Sequence, residues 1–232
     1  MDTPTRISGT SPRRAVDRSA RPDRQHAILL AAEKLFAQHG YRAVSIRQIA
    51  QEAGVPLALV SYYHGQKHEL FKAIFDHWRP TVDERLALLA QARQGTPGAD
   101  MLARVVQALV LPVLRLRASV EGEYYAQLVA RELFYRTPEA ASVLAEHFDP
   151  MAHAFIDGMR LACPGSSRPQ AAWAYQFAIG ALLHHISDER VERLSKGKNR
   201  PASPAAAELL TTFICAGMAA VLVPAASPTA QV

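Results

Sequence analysis

The side chains of this sequence that could do chemistry are mainly cationic, and they are concentrated towards its N-terminal end. Residues 1–79 contain 12 Lys+Arg against 7 Asp+Glu, whereas residues 80–232 contain 14 of each kind. A basic end on an otherwise neutral body is typical of a protein that binds a polyanion through that end. A small excess of charge also arises by chance, so the asymmetry by itself favours nucleic-acid binding only slightly.

Other kinds of site find little support. The two cysteines, Cys163 and Cys215, are far apart and form no C-x-x-C pair, so we expect packed thiols rather than a zinc or redox site. His184 and His185 are adjacent and would point about 100° apart on a helix, which does not favour a shared metal ion. The sequence contains no nucleophile elbow, P-loop or dinucleotide-binding glycine motif. We therefore expect no enzymatic activity, no cofactor and no metal.

The elements that must position the basic residues are predicted to be helices. With 232 residues, 49% of them hydrophobic, the chain is long enough for two small domains. Apolar residues recur at helical spacing, and no stretch alternates apolar with polar residues as a half-buried strand would, so the expected fold class is all-α. No apolar run approaches the roughly 20 residues of a membrane span, and the first residues lack the apolar stretch of a signal peptide. We expect a cytoplasmic protein with no membrane partner.

Capping residues and prolines mark the expected helix boundaries. Residues 1–21 are rich in Arg, Ser and Pro and predict a disordered basic arm. A first helix is predicted from Pro22 to His39, and Ser45 is placed to cap a short second one. Pro112 is expected to bend an apolar helix. Five further prolines are expected near helix starts, in the pairs Thr96-Pro97, Thr137-Pro138, Asp149-Pro150, Arg168-Pro169 and Ser203-Pro204.

Residues 45–63 predict two short helices joined by a tight turn. The turn from Gly54 to Pro56 is too short to let the helices lie side by side, so they must cross steeply. In a helix-turn-helix, the free face of the second helix enters the major groove of DNA. An ordinary helical hairpin fits the spacing equally well. Apolar residues from both helices would fill the crossing, namely Ile49, Ala50, Val55 and Val60.

The residues of this region resemble the DNA-binding domain of the TetR family. The run from Gly40 to Val55 reads GYRAVSIRQIAQEAGV, and it is followed by Tyr62-Tyr63 and by KHELF at 67–71. The family pattern is roughly G-[YF]-x-x-[TV]-[ST]-[VI]-R-x-I-A-x-x-A-G-V, then a recognition helix, a tyrosine-rich stretch and K-x-x-L-[FY]. The resemblance covers about 50 residues without an insertion. It implies a helix-turn-helix DNA-binding domain at residues 22–79 and a helical ligand-binding and dimerisation domain at residues 80–232.

The resemblance also implies which residues contact DNA. Ser45, Arg47 and Lys67 would contact phosphates, for which a hydroxyl, a guanidinium and an ammonium beside helix N termini are suitable donors. Tyr62 matches a tyrosine that touches the DNA backbone. Small or apolar residues dominate the expected groove-facing surface, which favours methyl contacts and reading of DNA shape. The full expected set is Arg42, Ser45, Arg47, Pro56, Leu57, Ala58, Ser61, Tyr62, Tyr63 and Lys67.

One short stretch departs from the family pattern. Where the family has tyrosine, a variable residue, histidine and phenylalanine, this chain has Ser61, Tyr62, Tyr63 and His64. His64 therefore takes the position of an inward-packing phenylalanine. Either histidine substitutes for it there, or the turn is reshaped.

No ligand-specific motif marks residues 80–232, so candidate residues there come from chemistry. Aromatic and thioether side chains concentrate between residues 124 and 159 and could line an apolar pocket that a few polar groups orient. An aromatic stripe at helical spacing is equally what a protein core looks like. The candidate ligand-binding residues are Tyr124, Gln127, Arg131, Tyr135, His147, Phe155, Trp173 and Phe177.

Two later helices, around residues 173–186 and 209–222, are apolar on most sides and therefore need partners on most sides. Docking this pair on its twofold mate would form a four-helix interface. Together with these helices, the resemblance to the TetR family implies a homodimeric repressor that binds a palindromic operator in double-stranded DNA and is released by a small, largely apolar effector. The alternative is a small helical enzyme that has kept the hairpin. It would need converging acid, base or nucleophile groups, which the second domain does not offer.

Overall fold

The computed structural model describes residues 20–135, 137–200 and 203–222, with side chains described from residue 24 onwards except at residue 204. Within those ranges every regular element is an α-helix, which confirms the all-α fold class. No helix in this part of the chain is long and apolar enough to cross a bilayer. The helices are α1 (Ala20–His39), α2 (Ile46–Glu52), α3 (Leu57–His64), α4 (Lys67–His77), α5 (Arg79–Ala92), α6 (Ala99–Ala118), α7 (Glu123–Tyr135), α8 (Pro138–Ala162), α9 (Arg168–Ser187), α10 (Val191–Leu194) and α11 (Pro204–Val221).

The helix-turn-helix forms because a local signal sets each of its boundaries. Ser45 caps α2 through a capping box, in which its hydroxyl accepts the Gln48 N–H at 3.3 Å and its own N–H donates to Gln48 Oε1 at 2.8 Å. Gly54 has a φ of +64°, a left-handed conformation that costs glycine little, and the chain turns there. Pro56 then precedes the first turn of α3. The two predicted short helices are confirmed.

Helices α1 to α4 enclose an aromatic core. The ring of Phe36 lies 5.6 Å from both Tyr41 and Phe71, and those two rings are 4.9 Å apart between centroids. Leu128 of α7 and Val143 of α8 complete this core. Residues of the second domain thus bury part of the core of the first domain. Helices α1 to α4 therefore depend on the rest of the chain for part of their stability.

One predicted helix boundary differs from the observed one. The first helix begins at Ala20 rather than at Pro22, and residues 1–19 of the predicted arm lie outside the described residues. The predicted domain boundary after residue 79 falls in the first turn of α5, which begins at Arg79. Only Trp78 separates α5 from α4, so a displacement of α5 is passed directly to α4.

A second core lies among α5, α6, α8, α9 and α11. Its centre is aliphatic and thioether-rich, and Leu89, Val105 and Met159 there are at most 2% exposed. Helix α9 faces this core with small residues, Ala171 and Ala174, which allow close approach of its neighbours. Two large aromatic residues of α9, Trp173 and Phe177, lie on another side of the helix, whereas Tyr175 packs against this core.

Prolines begin several helices of the second domain, as the sequence predicts. Three predicted pairs lie at helix starts, Thr137-Pro138 at α8, Arg168-Pro169 at α9 and Ser203-Pro204 at α11. Thr96-Pro97 lies just before α6, whose cap is Gly98, and Pro112 lies inside α6.

The prediction of a helix start at Pro150 is wrong, because this proline lies in the middle of the 25-residue helix α8. Leu144, His147, Met151 and Phe155 are buried at helical spacing on both sides of it. Burial of this continuous face outweighs the single backbone hydrogen bond that proline removes.

Candidate nucleic-acid interface and effector cavity

Helix α3 turns one side inward and the other to solvent. Ile49, Ala50 and Val60 are at most 4% exposed and fill the crossing of α2 and α3 as predicted. On the opposite side, Leu57 is 47% exposed and Tyr62 is 71% exposed. This side of α3 is therefore exposed to solvent and is not covered by other parts of the subunit that the structure describes. The remaining predicted groove-facing residues are also exposed, namely Pro56, Ala58 and Ser61.

The predicted phosphate contacts lie at the starts of α2 and α4. Ser45 and Arg47 are exposed, although the Ser45 hydroxyl is also engaged in capping α2. The ammonium of Lys67, the first residue of α4, lies 4.4 Å from the centroid of the Tyr41 ring, and burial lowers the pKa of Lys67. This contact restricts the rotamers of the lysine side chain.

Arg42 is engaged by the second domain. Its Nη2 lies 3.1 Å from Glu139 Oε1 at the start of α8, and the arginine side chain is 64% exposed. The hydrogen bond from Arg42 lowers the pKa of Glu139. Because exposed ion pairs contribute at most about 1 kcal/mol, Glu139 holds Arg42 only weakly.

At the position where the family has an inward-packing phenylalanine, His64 also packs inward. His64 is buried as the last residue of α3, and its Nε2–H donates to the carbonyl oxygen of Gln25 in α1 at 3.1 Å. Gly65, with a φ of +67°, then turns the chain into α4. Tyr63 is half-buried, with its ring 5.1 Å from that of Tyr62.

The sequence analysis missed two buried glutamates: Glu132 connects the segment before α2 to the second domain, and Glu33 connects α1 to Trp78 between α4 and α5. Glu132 of α7 accepts the Tyr41 N–H at 3.3 Å and the Thr137 hydroxyl at 2.7 Å. Glu33 of α1 accepts the indole N–H of Trp78 at 2.6 Å. Each glutamate is 1% exposed and interrupts the apolar face of its helix, which is the sequence signal that could have revealed it.

The buried carboxyl of Glu33 makes stability depend on pH. Burial raises the pKa of Glu33 from its ordinary 4.5 to about 7, although the bond from Trp78 acts in the opposite direction. The folded state therefore binds the Glu33 proton more tightly than the unfolded state does. This proton contributes its full amount to the unfolding free energy below pH 4.5, and the contribution is lost as pH rises through about 7. Between those limits we expect the unfolding free energy to fall by about 3 kcal/mol more than in Glu33→Gln. Urea denaturation of both proteins at pH 5 and pH 8 measures this, and identical pH dependence would contradict it.

The structure does not gather the candidate ligand-binding residues into one pocket. Gln127, Arg131 and Tyr135 of α7 line an open groove of about 890 Å³ that also borders α9. Tyr124 instead packs against the aromatic core of the first four helices. Of the candidate residues, this groove thus brings together Gln127, Arg131 and Tyr135.

The remaining candidates lie in three different surroundings. His147 contacts the Phe75 ring at 5.7 Å, and Phe155 is fully buried in the second core. Trp173 and Phe177 stack at 5.5 Å on the outer face of α9, where they are 60% and 57% exposed. Their expected place inside a pocket is not observed, because alanines take the buried side of α9.

A small internal cavity contains polar residues that the sequence analysis missed. Its volume is about 40 Å³, and Thr81, Arg85 and Tyr125 form its polar lining. Arg85 is 6% exposed and lies between Val82 and Leu89 on the buried face of α5. A cation at helical spacing among apolar residues is the signal that could have identified it.

An exposed helix-turn-helix joined to a larger helical domain is the architecture of a DNA-binding regulator. Comparison with known proteins agrees with this class. Residues 28–74 match bacterial regulatory proteins of the tetR family, and residues 107–217 match the tetracyclin repressor-like C-terminal domain. The chain therefore belongs to the TetR family of transcriptional regulators.

Individual relatives are similar over different lengths. The HTH-type transcriptional regulator HbdR of Aromatoleum sp. (strain CIB) is 44% identical over 68 residues, which span 28% of this chain and 30% of that protein. AmtR of Mycobacterium smegmatis is 21% identical in structural alignment, with a TM-score of 0.57 over 90% of this chain and 89% of that one. The hemolysin II transcriptional regulator HlyIIR is 18% identical, with a TM-score of 0.59 over 84% and 97%. These two structures share the fold.

Proposed function

We propose that this protein is a repressor that binds a palindromic operator as a homodimer and is released by a small-molecule effector. The observation that carries the proposal is the exposed outer face of α3, from which Leu57 and Tyr62 protrude, in a chain of the TetR family. In a twofold dimer, two such helices enter successive major grooves roughly 34 Å apart. The proposed activity is DNA binding rather than catalysis.

The outer faces of α9 and α11 support dimerisation. Trp173 and Phe177 of α9 are 60% and 57% exposed, and Leu209 and Phe213 of α11 are 71% and 69% exposed. Large apolar side chains concentrated in this way on a soluble protein mark an interaction surface. Docking of this surface on its own copy buries them and positions the two α3 helices for a palindrome.

Contacts between the two domains support control by an effector. Glu132 holds the backbone of Tyr41, and Trp78 stacks on Tyr125 with centroids 5.3 Å apart. Both contacts reach α7, so an effector that displaces α7 changes the position of the DNA-binding helices. It thereby favours a dimer geometry that no longer fits both grooves.

The proposal is tested by titrating the purified protein onto the intergenic DNA beside its own gene. We expect sequence-specific binding to a palindrome that weakens steeply as salt rises, because phosphate contacts release counterions. A scrambled duplex of equal length is the control. Equal affinity for both duplexes at moderate salt would contradict the proposal.

Charge reversal at Lys67 is expected to weaken binding to all DNA sequences alike. Lys67→Glu replaces a phosphate contact by a repulsion, so affinity for operator and scrambled DNA should fall by roughly tenfold or more, with a smaller salt dependence. Fluorescence anisotropy over a salt series measures both quantities.

Lys198→Glu is the matched control, because it makes the same charge change at an exposed residue after α10. We expect Lys198→Glu to bind as the wild type does. Unchanged operator affinity in Lys67→Glu would remove the role assigned to this lysine.

A further inference from the structure

The buried cation Arg85 has no anionic partner in the described part of the chain. Its side chain on α5 is 6% exposed, and its Nε makes no hydrogen bond. The guanidinium carbon lies 5.9 Å from the centroid of the Phe155 ring. Glu33, a buried carboxyl of α1, bonds Trp78 instead. Burying an unpaired charge is strongly unfavourable, so its retention here points to an anion that is bound in function.

A second unpartnered donor lies at the same cavity. The hydroxyl of Tyr125 on α7 is buried without a hydrogen-bond partner, and Tyr125 is 2% exposed. Thr81, the other polar residue of the lining, is already engaged, because its hydroxyl donates to the Trp78 carbonyl at 2.7 Å. Arg85 and Tyr125 are therefore the donors available to a guest.

The rest of the lining and the volume limit what that guest can be. Val113, Leu116 and Phe148 are among the apolar residues of the wall, and the cavity volume is about 40 Å³. This space admits the carboxylate group, and the hydrocarbon part of an acid enters only as the walls move apart. A planar carboxylate matches the fork of a guanidinium, whereas a doubly charged phosphate would require more donors than are present.

We propose that this cavity is the effector site of the protein and that it binds a small apolar monocarboxylic acid. The carboxylate accepts hydrogen bonds from the guanidinium of Arg85 and the hydroxyl of Tyr125, and the hydrocarbon part lies against Val113, Leu116 and Phe148. This inference rests on the proposed function and adds the chemical class of the effector.

Occupancy of this site can reach the DNA-binding helices. Tyr125 stacks on Trp78 with an interplanar angle of 17°, and Trp78 links α4 to α5. Pro112 of α6 also lines the cavity, and its missing N–H leaves α6 one backbone bond fewer to resist an adjustment. Because the cavity is small, a bound acid displaces its walls, and Tyr125 transmits that displacement to Trp78.

The test uses the full-length protein in thermal-shift and calorimetric titrations with benzoate and hexanoate. Benzamide serves as the neutral counterpart, and inorganic phosphate serves as the anion without an apolar part. We expect a carboxylate to raise the Tm by about 2–4 °C or more while benzamide and phosphate do not. Failure of both carboxylates, or an equal response to benzamide or phosphate, overturns the proposal.

Arg85→Met keeps the apolar stem and removes the charge. We expect this variant to lose at least about tenfold in carboxylate affinity. Its Tm without ligand should rise by about 2–4 °C, because an uncompensated buried charge is gone. A merely structural arginine would instead leave a destabilised protein on removal, and that result overturns the proposal.

Arg115→Met is the matched control, since Arg115 is exposed and pairs with Glu84 at the surface. It should keep the carboxylate response of the wild type. Operator binding is measured on the same ligand-free preparations. Specific DNA binding without a carboxylate response would contradict this inference alone. Absence of specific DNA binding would contradict the proposed function.

Discussion

Replacing Phe177 and Phe213 together by arginine should convert the protein into a monomer that has lost operator binding. These side chains are 57% and 69% exposed on α9 and α11, and a twofold interface would bring two copies of each new cation into a desolvated surface. A monomer contacts a single half-site. It loses the gain in affinity that a dimer has because its second subunit is held close to the second half-site. Operator affinity should therefore fall by roughly 100-fold or more.

Light scattering after size exclusion gives the mass of the assembly, and fluorescence anisotropy gives the operator affinity. The matched control is the double variant Val120→Arg with Leu161→Arg, which makes the same changes at apolar residues that are 92% and 40% exposed elsewhere on the surface. We expect this control to remain a dimer and to bind DNA. A dimeric Phe177→Arg with Phe213→Arg protein would show that another surface forms the assembly.

Placing an acid on the groove-facing side of α3 should abolish specific DNA binding without unfolding the domain. Ala58 is exposed in the first turn of α3, where a negative charge interacts favourably with the helix dipole. On DNA the same charge meets phosphates and base edges in both half-sites at once. A penalty of about 1–3 kcal/mol in each half-site lowers the affinity of Ala58→Glu by roughly 30-fold or more.

Ala141→Glu is the control for that substitution, because Ala141 is exposed near the start of α8. Operator titrations of both variants are compared with their circular dichroism and melting curves. We expect equal helix content in the two variants, with DNA binding lost only in Ala58→Glu. Operator binding by Ala58→Glu at wild-type strength would show that the outer face of α3 does not enter the groove.

The helices of the DNA-binding domain could be predicted from the sequence alone. Helix boundaries there follow from local chemistry, such as the capping box at Ser45 and the left-handed turn at Gly54. The apolar spacing of Ile49 and Val60 predicted the crossing that exposes α3. These features act within a few residues of each other, so they can be read along the chain.

The pairing of the helices, in contrast, could not be predicted without the three-dimensional structure. Periodicity marks a face as apolar but does not name its partner, so Trp173 and Phe177 were expected in a pocket and lie on the outer face of α9. For the same reason, the sequence did not predict the hydrogen bond between Glu33 and Trp78, which are 45 residues apart. It also did not predict that Arg85 is buried without a carboxylate partner in the described residues. Whether a buried charge is paired depends on helices distant in sequence, because electrostatic and packing energies follow distance in space.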